Sequence, residues 1–207
     1  MAKRTANTAQ ISLFPETLYE YHILLSPSDA IKDDVDNLKQ VLHEAIGIAD
    51  RDRTSIAHIT LLKTEAFEST NMKDIVKKAL AGESKFTIKV NGHDHFKNGK
   101  ETTLYLKLEN PELVDRLAVA IKNPTKKRAP KPKYRQTSIV DKPERKPKLS
   151  MTPHITIARN ITEADFEKID LTAFEYENEW VCDRVIIRRR LAGTDKLFSP
   201  AGEVKLG

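Results

Sequence analysis

The stretch His58-Ile-Thr-Leu-Leu-Lys63 has a near copy at His154-Ile-Thr-Ile-Ala-Arg159. Each copy is short, aliphatic and β-branched, which suits a buried strand better than a helix. Side chains at i and i+2 of a strand point to one face, so each histidine projects together with its threonine. With six histidines in the chain, one His-x-Ser/Thr match is expected by chance. Two matches that share the isoleucine, an aliphatic follower and a closing cation point to an internal duplication.

Around the first copy, Leu18 to Ser26 reads as an opening strand ended by Ser26-Pro27, with Ser28 as the N-cap of a helix. Ile31, Val35, Leu38, Val41, Leu42, Ala45 and Ile46 follow at helical spacing, and Gly47 stops them. Asn71 caps a second helix that carries Met72, Ile75, Val76, Ala79 and Leu80. Phe86 to Val90 and Thr103 to Leu108 alternate like strands, with turn signals at Asn91-Gly92 and Asn98-Gly99. Pro111 opens a third helix with Leu113, Leu117, Ala120 and Ile121. Beyond the second copy, Thr162 caps a short helix, and Phe174 to Val181, Asp183 to Leu191 and Lys196 to Leu206 read as three strands. Several strand pairs are adjacent in sequence, which predicts an α+β fold with antiparallel sheet.

Residues 123 to 150 break this pattern. They hold five of the ten prolines and ten Lys or Arg against Asp141 and Glu144, a local charge of +8 that leaves the remainder mildly acidic although the whole chain is +5. The segment reads as an exposed, flexible, basic insertion where an anionic polymer would be met. Lys126, Lys127, Arg128 and Arg135 are its candidate nucleic-acid contacts, with Tyr134 able to stack on a base. The composition, 39% hydrophobic and 31% charged, excludes disorder throughout. No stretch approaches the roughly 18 consecutive apolar residues of a membrane span, so no membrane association and a cytoplasmic location are expected. The single cysteine, Cys182, lies beside Trp180 and Val181 and reads as a small buried hydrophobe rather than a reactive thiol.

If the two motif strands lie side by side or face each other about a pseudo-twofold, one pocket receives two imidazoles and two hydroxyls. Imidazoles with near-neutral pKa suit one general base and one general acid on opposite sides of a reacting centre, and hydroxyls suit phosphate oxygens between them. In-line displacement at phosphorus is the natural reaction, one histidine removing a proton from the attacking oxygen and the other protonating the leaving oxygen. No cofactor and no metal ligand set are evident. His93 and His95 share a strand face but lack a nearby third ligand, and read as turn or cleft-rim residues. Lys63 and Arg159 fall on the opposite strand parity from the histidines and read as structural or surface residues, and Arg188-Arg-Arg190 as a solvated sheet edge that could border an RNA groove.

At the paired motifs the sequence resembles the 2H phosphoesterase superfamily, which includes the 2'-5' RNA ligase (LigT-like) and cyclic phosphodiesterase branches. The likeness extends to Tyr21 to Pro27 as the opening strand, Gly92-His-Asp-His-Phe96 with Thr103 to Leu108, and Phe198 to Gly207 as the closing strand. It covers residues 18 to 122 and 151 to 206. The resemblance implies a single bilobal α+β domain over 1–207, interrupted by the insertion at 123 to 150, with two small antiparallel sheets and outer helices around a central cleft. It also implies metal-independent chemistry on 2',3'-cyclic phosphate ends of RNA, 2'-5' linkages or a related small cyclic nucleotide, with a monomer expected. His58 and His154 then form the acid–base pair, Thr60 and Thr156 hold the phosphate, and His154 is the base for cyclic phosphate opening. The competing expectation is an RNA-binding module that works through the basic insertion around an inert cleft.

Overall fold

Strand β1 (Leu18–Leu25) buries Tyr21, Ile23 and Leu25 on one face and ends before Pro27, which has no N–H to continue a ladder. In the computed structural model, residues 16–126 and 152–207 are described. Helix α1 (Asp29–Ile46) starts where the Ser28 hydroxyl accepts the Ile31 N–H, and stops at Gly47, which takes φ 69° and donates its N–H to His43. Ile31, Val35 and Leu42 form its buried stripe, as the spacing predicts. A four-residue helix follows, α2 (Asp50–Arg53), which has no apolar period to announce it.

The chain continues through β2 (Ile59–Phe67), α3 (Met72–Ala79) capped by Asn71, β3 (Phe86–Asn98), β4 (Glu101–Leu108) and α4 (Pro111–Lys126). Next come β5 (His154–Thr162), α5 (Glu163–Phe166) capped by Thr162, a 3-10 turn at Leu171–Phe174, and strands β6 (Glu177–Cys182), β7 (Arg184–Leu191) and β8 (Ser199–Lys205). Several boundaries differ from the sequence reading: Phe174 lies in the 3-10 turn with β6 starting at Glu177, and β8 starts at Ser199 rather than Lys196. Asn91-Gly92 is not a turn between strands: β3 runs through it, and Gly92 at φ 72° forms a bulge near the point where pairing with β6 ends at Asn91. Helix α4 carries Pro124 inside it and extends to Lys126, past the expected start of the insertion at 123. The rest of that segment lies outside the described residues.

The eight strands form one antiparallel sheet in the order β6-β3-β4-β5-β2-β1-β7-β8. The expected pair of small sheets is therefore corrected to two halves of a continuous sheet, joined at β2 and β5 through the pair Ile59↔Ile155. Outward from that seam, β5-β4-β3-β6 corresponds to β2-β1-β7-β8, the pseudo-twofold order expected of a duplication. The halves also interlock, because α1 packs on β5 and α4 packs on β2. Separate lobes would leave the inner edges of β2 and β5 unpaired, and joining them removes both edges. Ile59 and Ile155 are fully buried at the seam, and a single core spans both halves. Among the described residues no helix is long and apolar enough to cross a membrane.

Candidate active site

Ile59 and Ile155 point into the core, so their neighbours His58, Thr60, His154 and Thr156 point to the opposite face of the sheet. Extending the seam register by one residue each way sets His58 across from Thr156 and Thr60 across from His154. The seam thus brings the four sequence-selected residues together on one open face. His58, His154 and Thr156 are half-buried there, and Thr60 is exposed.

The two histidines are held in the same way. His58 Nδ1 lies 2.7 Å from the Ile56 carbonyl, and His154 Nδ1 lies 2.7 Å from the Thr152 carbonyl, each two residues upstream. A carbonyl only accepts, so Nδ1 carries the proton, and the neutral ring has its lone pair on Nε2. The loop before His58 is itself clamped. Buried Lys39 on α1 donates to the Ser55 carbonyl and, at 3.3 Å, to its hydroxyl.

Burial lowers the pKa of both rings. The upstream carbonyls oppose that shift, while Arg159 reinforces it at both rings and Lys63 and Lys39 reinforce it at His58. At neutral pH the resting site therefore holds two unprotonated imidazoles in a cationic field, suited to an arriving anion. An anion bound there would offset those cations and raise the imidazole pKa.

The strand parity that set Lys63 and Arg159 aside is corrected by the structure. In β2 the pairing changes from Leu24↔Thr60 to Ile23↔Leu62, leaving Leu61 as an extra residue, so Lys63 pairs with His22 on the face of Thr60. In β5 it changes from Tyr105↔Thr156 to Leu104↔Ala158, with Ile157 as the extra residue. Ala158 faces the core, and Arg159 follows on the side of the histidines. Each motif carries a bulge one residue after its threonine, and a bulge reverses parity. Arg159 is further fixed by buried Asp52 on α2, whose Oδ2 accepts the Arg159 backbone N–H at 3.0 Å and whose Oδ1 accepts Nη1 at 3.2 Å.

Other side chains at the site, Arg190 apart, were not singled out from the sequence. His22 on β1, only 6% exposed, places Nε2 at 2.9 Å from Thr60 Oγ1, and its ring stands edge-on to His58 with centroids 5.0 Å apart. Phe198 closes the other side of His22 at 5.4 Å, and Arg190 lies over Phe198 while pairing with Glu20. In the other half, Tyr105 and Phe96 flank His154 at 4.8 and 5.6 Å. The only sequence signal for His22 is a polar residue in an apolar strand, and nothing in the sequence marks Asp52.

The remaining candidates divide between the site and other parts of the fold. His93 faces Glu175 at 3.7 Å and His95 packs on Phe166 at 4.7 Å, so the two rings turn to different partners. Arg188 to Arg190 are not a sheet edge, because β7 lies between β1 and β8, and two of them border the site: Arg188 pairs with His22 and Arg190 with Glu20, on the face of His22. Cys182, the last residue of β6, is buried in the core, and burial raises its thiol pKa to about 11. Lys127, Arg128, Tyr134 and Arg135 lie outside the described residues, and Lys126 ends α4.

The family model described as the 2'-5' RNA ligase superfamily matches residues 27–194. No curated protein matches the chain. E. coli LigT complexed with 3'-AMP superposes with a TM-score of 0.59 at 15% identity, covering 93% of this chain and 99% of that one. E. coli LigT complexed with ATP gives 0.61 at 12%, covering 91% and 98%. TT0787 of Thermus thermophilus gives 0.60 at 13%, covering 90% and 97%. At such identities these likenesses speak for the fold, while the family model spans both His-x-Thr motifs and the bulges behind them. The chain belongs to the 2'-5' RNA ligase superfamily, a branch of the 2H phosphoesterases.

Proposed function

We propose that the chain is a metal-independent phosphodiesterase that acts on 2',3'-cyclic phosphate ends of RNA or on 2'-5' phosphodiester linkages. The observation that carries this reading is the matched pair of imidazoles, each with Nδ1 tied to a carbonyl and its lone pair on Nε2, on one face with two threonine hydroxyls. Such a pair supplies both proton transfers of an in-line displacement. Water attacks phosphorus, one imidazole takes its proton, the bond from phosphorus to the ribose oxygen breaks, and the other imidazole protonates that oxygen. Thr60 and Thr156 donate to the non-bridging oxygens, with Lys63 and Arg159 offsetting their charge. That LigT was crystallised with 3'-AMP and with ATP supports a nucleotide as ligand.

The surrounding charges favour an order of roles opposite to the one the family resemblance implies. Lys63 and Lys39 act on His58 in addition to Arg159, whereas Arg159 is the cation acting on His154. The additional cations beside His58 oppose a proton there, and on that ground we assign His58 as the base and His154 as the acid.

The test is turnover of 2',3'-cyclic nucleotides and 2'-5'-linked dinucleotides in EDTA, with products followed by phosphorus NMR. Chelator-resistant turnover, reduced about 10²- to 10⁴-fold in both His58→Ala and His154→Ala, is expected. Folded wild-type protein that turns over none of these substrates, yet binds RNA in a strongly salt-dependent way, would overturn the proposal in favour of a binding module.

A further inference from the structure

We propose that His22 is a positioning residue that acts through Thr60, presenting Nε2–H to Oγ1 so that the single hydroxyl proton of Thr60 is directed at a phosphate oxygen. This inference rests on the phosphate-binding reading of the site. It starts from an asymmetry between the halves. Both motif histidines use Nδ1 for a backbone carbonyl, whereas His22 turns Nε2 to a side chain at 2.9 Å. In the other half, the ring beside the motif histidine is Tyr105, paired in register with Thr156.

The chemistry follows from counting protons. A threonine hydroxyl has one proton to donate and two lone pairs. A neutral imidazole has one N–H. Either tautomer of His22 satisfies the contact with Thr60, but with opposite consequences. If Nε2 carries the lone pair, Thr60 donates to it and turns only acceptor lone pairs toward the cleft, which repel an anion. If Nε2 carries the proton, His22 donates, and the Thr60 hydroxyl hydrogen is left for the phosphate.

His22 is suited to this task because it stays neutral. It is buried, and His58, Lys63, Arg188 and Arg159 all act against a proton on it, so its pKa falls to about 3. It neither competes for the phosphate as a cation nor serves as a second base. His58 and Phe198 on either side leave the ring little freedom to turn away from Thr60.

The test is imidazole nitrogen NMR on the full chain, with and without inorganic phosphate. Three histidines are read at once. Phosphate is expected to shift His58 and His154, with His22 in the Nε2–H tautomer in the bound state. If phosphate shifts His58 and His154 while His22 keeps its proton on Nδ1, this inference is overturned and the phosphate site stands. If phosphate moves none of them, the phosphate-binding reading falls, and the inference with it. Kinetics supply a second readout. His22→Phe removes the donor and should lower kcat/KM about tenfold, the scale of one hydrogen bond. His22→Gln restores an amide donor and should recover most of that loss, whereas equal defects in the two variants would indicate packing alone and sink the idea.

Discussion

Asp52 and Arg159, 107 residues apart in the chain, are joined twice: the carboxylate accepts both the backbone N–H and a guanidinium N–H of the arginine. The contact ties α2, from the first half, to the bulged strand of the second motif. It holds both the irregular backbone and the cation that acts on all three histidines of the site.

Asp52→Ala removes both acceptors from a buried position. A stability loss of about 1 to 3 kcal/mol is expected from the unsatisfied N–H, together with a fall in kcat/KM as Arg159 loses its anchor. Asp52→Asn keeps an acceptor for the backbone N–H and should regain part of the stability. Urea denaturation and steady-state kinetics on the two variants check this, and an Asp52→Ala variant as stable and active as wild type would remove Asp52 from the site.

The bulges after Thr60 and Thr156 make Lys63 and Arg159 part of the reactive face. Lys63→Ala and Arg159→Ala should each lower kcat/KM at least about tenfold for a phosphodiester, since a charge-assisted contact is worth roughly 1.5 to 3 kcal/mol. Arg189 pairs with Tyr21 on the opposite face and lies over Tyr19. Arg189→Ala should leave kcat/KM within a few-fold of wild type. Equal effects of the three substitutions would show that the register argument does not govern the site.

If His154 is the acid, its loss should matter less when the leaving group needs no proton. His154→Ala should recover at least about a hundredfold, relative to the cyclic substrate, on a nucleoside 3'-(p-nitrophenyl) phosphate. His58→Ala should not recover. The reverse pattern would assign the acid to His58 and restore the order that the family resemblance implies.

The histidines also set an acid limit on stability. His22 has a folded pKa of about 3 against an ordinary 6.5, so the unfolded chain takes up the proton first as pH falls. Its contribution to stability is full above pH 6.5 and is lost between there and pH 3, amounting to about 2 kcal/mol by pH 5. His58 and His154, lowered in the same direction, add to it. Urea denaturation at pH 7.5 and pH 5 should show a difference at least that large in wild type and a smaller one in His22→Phe. An unchanged difference would mean that His22 is not held neutral by the fold.

The sequence by itself determined much of what depends on a short piece of backbone. Ser28, Asn71 and Thr162 cap helices because a side-chain oxygen can reach an N–H three residues on. Gly47 ends α1 because it adopts positive φ without strain. The His-x-Thr pairs share a face because the pleat repeats every two residues, and their duplication pointed to the proposed acid–base pair. What only the tertiary structure decided are relations between distant segments. The bulges at Leu61 and Ile157 arise from how β2 and β5 pair with β1 and β4, so no periodicity within either strand shows that Lys63 and Arg159 have changed sides. His22 and Asp52 meet their partners across 38 and 107 residues, and the fusion of two sheets at Ile59↔Ile155 follows from burying both inner edges at once. Local hydrogen bonding and side-chain alternation are written along the chain, whereas register and long-range pairing exist only once the strands have been brought together.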